Sequence, residues 1–258
     1  PTLPTEKDAW VTESGTTVGR KAVRTVVVNA MKSALDASAE LREDARTFNV
    51  IASPGYPELI SNMVSLNTDR RQTAFVIGDT PLRLAATSTA LENYTTNTAN
   101  AVDNNEDGLV TSDPYLAVFY PSATTNDLNG NTIVVPPSHA MLRTIARSDD
   151  ISFPWFAPAG TRRGLVDNIA SIGYINSTTG TFVTDNIRES VRDTLYTNRV
   201  NPIAFFAGSG ILNYGNKTRA ASTSALDRIN ISRLTGYLRR QLQTIATGFV
   251  FEPNDKIT

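Results

Sequence analysis

His139 is the only histidine in this chain of 258 residues, and it stands directly beside Ser138. Asp149 and Asp150 follow ten residues later. A serine nucleophile, an imidazole base and an orienting carboxylate make an acyl-transfer site when they face one another. Adjacent residues on a helix point about 100° apart, so Ser138 and His139 diverge if this stretch is helical. No Gly-x-Ser-x-Gly turn surrounds any serine. The residues therefore read as a surface histidine rather than a hydrolase. A second candidate is Asp103-Asn104-Asn105-Glu106-Asp107-Gly108, the first half of a calcium loop. Asp103, Asn105 and Asp107 would supply oxygen ligands, and Gly108 the sharp turn. The twelfth position is Pro114 instead of a bidentate glutamate, so the stretch reads as an acidic turn with calcium as its alternative. Gly208-Ser209-Gly210 lacks the spacing of phosphate or dinucleotide loops and reads as a turn.

Composition narrows the chemistry further. With 24 Lys plus Arg against 25 Asp plus Glu, the net charge is -1. Such a chain has no basic field for nucleic acid or an anionic membrane. It has no cysteine, which removes disulfides, thiolate zinc and cysteine nucleophiles. A single histidine excludes sites with two histidine ligands, and no cofactor motif is present. No run of about 18 apolar residues exists to span a bilayer. The 33 Thr and 21 Asn suit strands, turns and polar surfaces.

The elements that would position these residues alternate between strand and helix patterns. Val23–Val28 is β-branched and reads as a strand, followed by a helix over Asn29–Ala45 with Met31, Leu35 and Ala39 on one face. Phe48–Ala52 and Thr73–Asp79 read as buried strands, with a helix over Pro57–Leu66 between them. Residues 93–114 are polar and aperiodic, an exposed loop expected to tolerate deletion. Tyr115–Tyr120 and Ile133–Val135 read as strands around a polar loop at Ser122–Thr132. Helices are expected over Pro137–Arg147, Thr184–Thr197 and Ile231–Thr247. The last carries Leu234, Leu238, Leu242 and Ile245 on one stripe, and Pro202–Phe206 with Ile211–Tyr214 reads as a hairpin. Phe153-Pro154-Trp155-Phe156 is either core or a contact surface. Strands separated by helices of this length imply an α/β fold with a mostly parallel central sheet flanked by helices.

An ordered series of short motifs adds a family resemblance. Tyr120-Pro121, Val135-Pro136-Pro137-Ser138, Ala146-Arg147-Ser148-Asp149 and Trp155-Phe156-Ala157-Pro158-Ala159-Gly160 occur in turn. Asn201-Pro202-Ile203, Ile211-Leu212-Asn213-Tyr214-Gly215, Asn230-Ile231-Ser232-Arg233-Leu234 and Phe251-Glu252-Pro253-Asn254 complete it. Together they resemble the tail sheath proteins of contractile-tailed bacteriophages. Ser232 departs from the family's pattern, which has the first arginine of an Arg-Arg-Leu element there, and His139 stands where a small residue is common.

The resemblance implies a subtilisin-like α/β sandwich without catalytic or cofactor-binding residues. It implies a domain over residues 1–225, with 93–114 as its own insertion, and the start of a C-terminal domain over 226–258. The expected role is structural: copies stack in six-membered rings around a tail tube, and contraction drives the tube through the host envelope. Tube, baseplate and tail terminator are the other implied partners, with neither nucleic acid nor membrane among them. The place is the virion tail, assembled in the host cytoplasm. Sheaths of type VI secretion or bacteriocin machines are the near alternative, and a hydrolase on the same fold the distant one. Pro1–Thr258 is expected to be an internal piece that folds as a monomer without forming sleeves.

Overall fold

A computed structural model describes residues 10–11, 17–18, 20–102 and 104–251, with side chains from Val23 onward. Strands β1 (Trp10–Val11) and β2 (Thr17–Val18) pair antiparallel ahead of helix α1 (Arg20–Ala37). A 3-10 turn at Glu40–Arg42 precedes β3 (Val50–Ala52), and another at Pro57–Leu59 runs into α2 (Ile60–Asp69). Next come β4 (Phe75–Asp79), α3 (Ser88–Thr95), β5 (Leu116–Tyr120), β6 (Ser122–Asn126) and β7 (Thr132–Val135). Helix α4 (Pro137–Ile151), the short α5 (Gly160–Arg163), β8 (Ser171–Ile175) and β9 (Phe182–Thr184) follow. The described chain closes with α6 (Glu189–Thr197), β10 (Asn201–Phe206), β11 (Gly210–Asn213) and α7 (Ile229–Thr247).

A mixed five-stranded sheet in the order β11-β10-β5-β4-β3 forms the centre. Its strands β3, β4, β5 and β10 run parallel, and β11 returns antiparallel. Every residue of β4 and β5 is buried, as expected for strands covered on both faces. Successive strand residues point to opposite faces. Gly78 faces α2, where a Cβ would lie 2.9 Å from the Ile60 Cδ1. Its neighbour Asp79 turns the other way, to Ser138 at the start of α4. Helices thus pack on both faces, and one continuous apolar core runs from Ile60 to Ile229.

The second sheet, β7-β6-β8-β9, is antiparallel. It is joined to the first by a single residue: β5 ends at Tyr120 and β6 begins at Ser122. Pro121 lies between them, after a cis peptide bond. Gly173 marks the close approach of β8 and β9, since a Cβ there would sit 1.9 Å from the Val183 carbonyl oxygen.

Several expectations from the sequence are corrected. Val23–Val28 is helical, not extended, because Val28, with Val27 and Met31, packs on Tyr56 and Leu59 at helical spacing. Tertiary burial overrides the β-branched preference. That helix stops at Ala37, short of Ala45. The polar stretch at Ser122–Thr132 contains β6, whose Ser122, Ala123 and Thr124 are buried. The Thr124 and Ser171 hydroxyls bond each other at 2.6 Å, so the polar side chains are paired across the sheet. Helix α6 begins at Glu189 because Thr184 belongs to β9 and Ile187 has φ 53.

Residues 93–114 are not a free loop either. They begin in α3, and Leu109 and Asn105 are buried. The Asn105 Oδ1 accepts the backbone N–H groups of Val110 at 3.0 Å and Thr111 at 3.2 Å. Tyr94 donates its hydroxyl to the Asn105 carbonyl at 2.6 Å. The segment folds around this asparagine, so shortening it is expected to disturb the fold. Asn105→Ala is expected to cost about 2 kcal/mol, because it leaves two part-buried amides without their acceptor. A denaturant titration of the variant measures that loss.

Candidate functional site

The residues that suggested acyl transfer are kept apart. Ser138 is fully buried at the start of α4, donating its backbone N–H and hydroxyl to Asp79 at 2.7 and 2.8 Å. His139 is exposed, and its carbonyl accepts from Asn168 at 3.1 Å. Asp149 is bound to Arg233 of α7 through contacts of 2.9 and 2.5 Å, and Asp150 is exposed. No nucleophile–base–carboxylate line forms among these residues.

Sequence reasoning missed the group that takes the central position, Asp79. It ends β4 at the carboxyl edge of the parallel strands, where open α/β sheets hold their ligands. There it accepts three hydrogen bonds: from the Gly55 N–H at 2.8 Å and from the N–H and hydroxyl of Ser138. Burial pushes its pKa up to about 6, and the three donors only partly counter that. Both of its oxygens accept from the protein, Oδ1 once and Oδ2 twice. Asp79 ties the turn after β3 to the start of α4, and its role is structural.

Beside it opens a cleft of about 1080 Å³. Leu82, Leu84 and Ile175, with Ile133 and Val134 of the edge strand β7, line it together with Arg83, Glu106 and Asp107. Arg24 lies at its base, pairing with Glu58 through Nε and Nη2 and donating to the Gly55 carbonyl at 2.7 Å. Its guanidinium lies 4.9 Å from the centre of the Tyr56 ring, and Glu106 approaches to 3.6 Å. The cleft offers surface for binding but brings no reactive pair together.

The calcium candidate separates in the same way. Asp103 lies outside the described residues. Asn105 spends its oxygen on two backbone amides, and Asp107 is exposed and accepts from Asn104 at 3.0 Å. Among the described residues no group of three or more His, Cys, Asp or Glu side chains could hold a metal ion. Nor is any described helix long and apolar enough to cross a membrane.

The unusual surfaces face outward. Helix α7 turns Ser232, Arg233 and Gly236 to the body of the protein. Its expected core stripe is on the opposite side, with Leu238 47%, Leu242 62% and Ile245 58% exposed. Phe153, Trp155 and Phe156 form a second apolar patch, with the Phe153 and Trp155 rings stacked at 4.7 Å. Phe153 is 56% exposed, so this cluster is surface and not core. Tyr237 of α7 leans on Trp155 at 5.4 Å. Such patches are characteristic of proteins that contact other proteins.

No protein-family model matches the chain. It is 34% identical over 124 residues to the tail sheath protein of Vibrio phage KVP40, covering 48% of this chain and 17% of that protein. It is 30% identical over 172 residues to the tail sheath protein of Enterobacteria phage T4, covering 65% of this chain and 24% of that protein. The chain therefore spans a quarter or less of the length of these relatives. Among solved structures, the PVC sheath complex of an extracellular contractile injection system in its contracted state superposes with a TM-score of 0.63. That match has 17% identity and covers 89% of this chain and 54% of the other. The helical sheath of the anti-feeding prophage, also contracted, gives 0.56 at 18% identity over 89% and 53%. By sequence the chain is thus similar to phage tail sheath proteins over part of its length, and its fold is that of the sheath subunits of contractile injection systems.

Proposed function

We propose that the chain is the α/β body of a bacteriophage tail sheath subunit. Copies of the subunit form a sleeve around the tail tube, and its contraction drives the tube through the host envelope. The observation that carries this is the 172-residue similarity to a phage tail sheath protein, coinciding with a fold shared with contracted sheaths. The apolar outer face of α7 and the aromatic patch beside it agree with a molecule that works through contacts. A sleeve also requires heterologous contacts that do not close on themselves. Tube, baseplate and tail terminator are the further partners in this reading, and the virion tail, built in the host cytoplasm, is its place.

The finer description of the fold belongs here too. We read the parallel sheet with helices on both faces as a subtilisin-like arrangement over residues 1–225. Residues 226–258, with α7, begin a further domain. The protein is not an enzyme: Ser138 is committed to Asp79, and His139 stands alone at the surface. A sheath of a non-phage injection machine is the second reading, favoured by the solved structures, whose identities of 17–18% speak for the fold alone.

Electron microscopy of the full-length protein tests the proposal. Regular hollow sleeves are expected, in long and shortened forms, and His139→Ala should assemble as well as the unaltered protein. A protein that stays dispersed at every concentration, or one that hydrolyses ester substrates through His139, would overturn it.

A further inference from the structure

We propose that a cationic cluster around Tyr196 receives the exposed carboxylates Glu43 and Asp44 of a second copy of this chain, in a head-to-tail contact. The inference rests on the sheath reading and names one of its subunit contacts.

Tyr196, near the end of α6, gathers two cations. The Lys217 Nζ lies 4.3 Å from its ring centre and donates to its carbonyl at 3.2 Å. The Arg228 Nη1 donates to its hydroxyl at 2.8 Å. Lys217 and Arg228 face each other across an isolated antiparallel bridge, an arrangement of like charges that disfavours the fold. Arg199 joins them with φ 60, and its Nη1 is buried without a hydrogen-bond partner. Arg219 is buried and bonds only to carbonyls, those of Asn198 at 2.7 Å and Thr111 at 3.4 Å.

The carboxylate offsetting this charge is Asp227, which pairs with Arg228 at 3.2 Å. Lys217 is held below the usual lysine range, first by burial and then by Arg228 and Arg199. Lys217, Arg228 and Arg199 against Asp227 form a surface short of negative charge, and the buried Arg219 adds to it through Arg199. A fold keeps such a cluster at a cost, and an anion supplied from outside removes that cost.

The chain carries a matching surplus elsewhere. Glu43 and Asp44 follow the 3-10 turn at Glu40–Arg42 and are exposed. Their acidic neighbours are occupied: Glu40 pairs with Arg46, and Asp69 with Arg42 at 2.8 Å. Glu43 and Asp44 have no ion pair among the described residues. Their position makes a neighbour necessary. The doublet leads toward β3, while the cluster flanks the start of β10, and the sheet order places β4 and β5 between those strands. A carboxylate beside the β3 edge does not reach past the two intervening strands to the start of β10 in the same molecule. Joining these unlike surfaces of successive copies gives a heterologous contact that extends instead of closing, as a helical sleeve requires.

Charge exchange in the full-length protein tests this, with sleeves counted by electron microscopy and sedimentation. Lys217→Glu with Arg228→Glu should raise the critical concentration for assembly by about tenfold or more, and Glu43→Lys with Asp44→Lys should do the same. The neutral pair Lys217→Gln with Arg228→Gln should give a smaller rise. All should remain folded by circular dichroism, and the neutral pair should melt no lower than the unaltered protein. Combining both reversals should restore assembly, and raising salt should weaken assembly of the unaltered protein. Normal assembly of the Lys217/Arg228 reversal would overturn the proposal. So would failure of the combined variant to recover while each half remains folded. If the unaltered protein forms no sleeves at all, it is the sheath reading that fails.

Discussion

Asp79→Ala is expected to destabilise the protein by about 3–5 kcal/mol, since each buried donor left unpaired costs about 1–3 kcal/mol. Three donors lose their acceptor together: the Gly55 and Ser138 backbone N–H groups and the Ser138 hydroxyl. The turn after β3 and the first turn of α4 should loosen together, with faster amide exchange at both. Asp79→Asn should recover part of the loss, because its amide keeps one oxygen as an acceptor but presents a donor to the other side.

The pH dependence follows from the same group. Its pKa in the fold is about 6, against 3.8 for a free aspartate, so the fold binds this proton more tightly than the unfolded chain does. Its contribution is therefore most favourable below pH 4 and declines as pH rises toward 6, by about 3 kcal/mol in total. Denaturant titrations should show the unaltered protein losing stability across that window relative to Asp79→Asn. Identical slopes for the two proteins would contradict the assignment.

Arg24→Ala should produce a loss of similar size, about 3–5 kcal/mol, because it strands the buried Glu58 carboxylate. Arg24 is 8% exposed and Glu58 5%, so the pair is largely desolvated in the fold. Replacing both residues by methionine should be far milder than either alanine substitution alone, since two desolvated charges leave together. A double-mutant cycle on thermal or denaturant unfolding measures the difference. Additive losses at Arg24 and Glu58 would show that the pair is not coupled.

The sequence was most informative where burial and periodicity agreed. The runs at Thr73–Asp79 and Tyr115–Tyr120 are β4 and β5, and Pro202–Phe206 with Ile211–Tyr214 is the expected hairpin. Helix α7 was visible as a helix, but its orientation was not. An apolar stripe normally marks the inner face, whereas here close packing selects the small face. A Cβ on Gly236 would already be in van der Waals contact, at 3.4 Å, with the Thr73 carbonyl oxygen, so the helix lies close to the backbone there. The polar β6 was hidden because its hydroxyls are satisfied by a strand distant in sequence. Asp79 looked like the polar end of a strand, since nothing local announces that Ser138 lies 59 residues away along the chain. Adjacent residues proved uninformative in the opposite direction. Ser138 and His139 suggested chemistry by proximity, yet one faces the core and the other the solvent.

The junction between the two sheets has a mechanical meaning. One strand leaves the parallel sheet at Tyr120 and enters the antiparallel sheet at Ser122, with Pro121 alone between them. A hinge needs several freely rotating backbone bonds, and a proline fixes one of the few available here. Tension or torque on either sheet therefore passes to the other along the covalent backbone instead of being lost in sliding side chains. In the sleeve we propose, such a body would turn as one stiff link, and the compliance would fall at the boundaries between neighbouring copies.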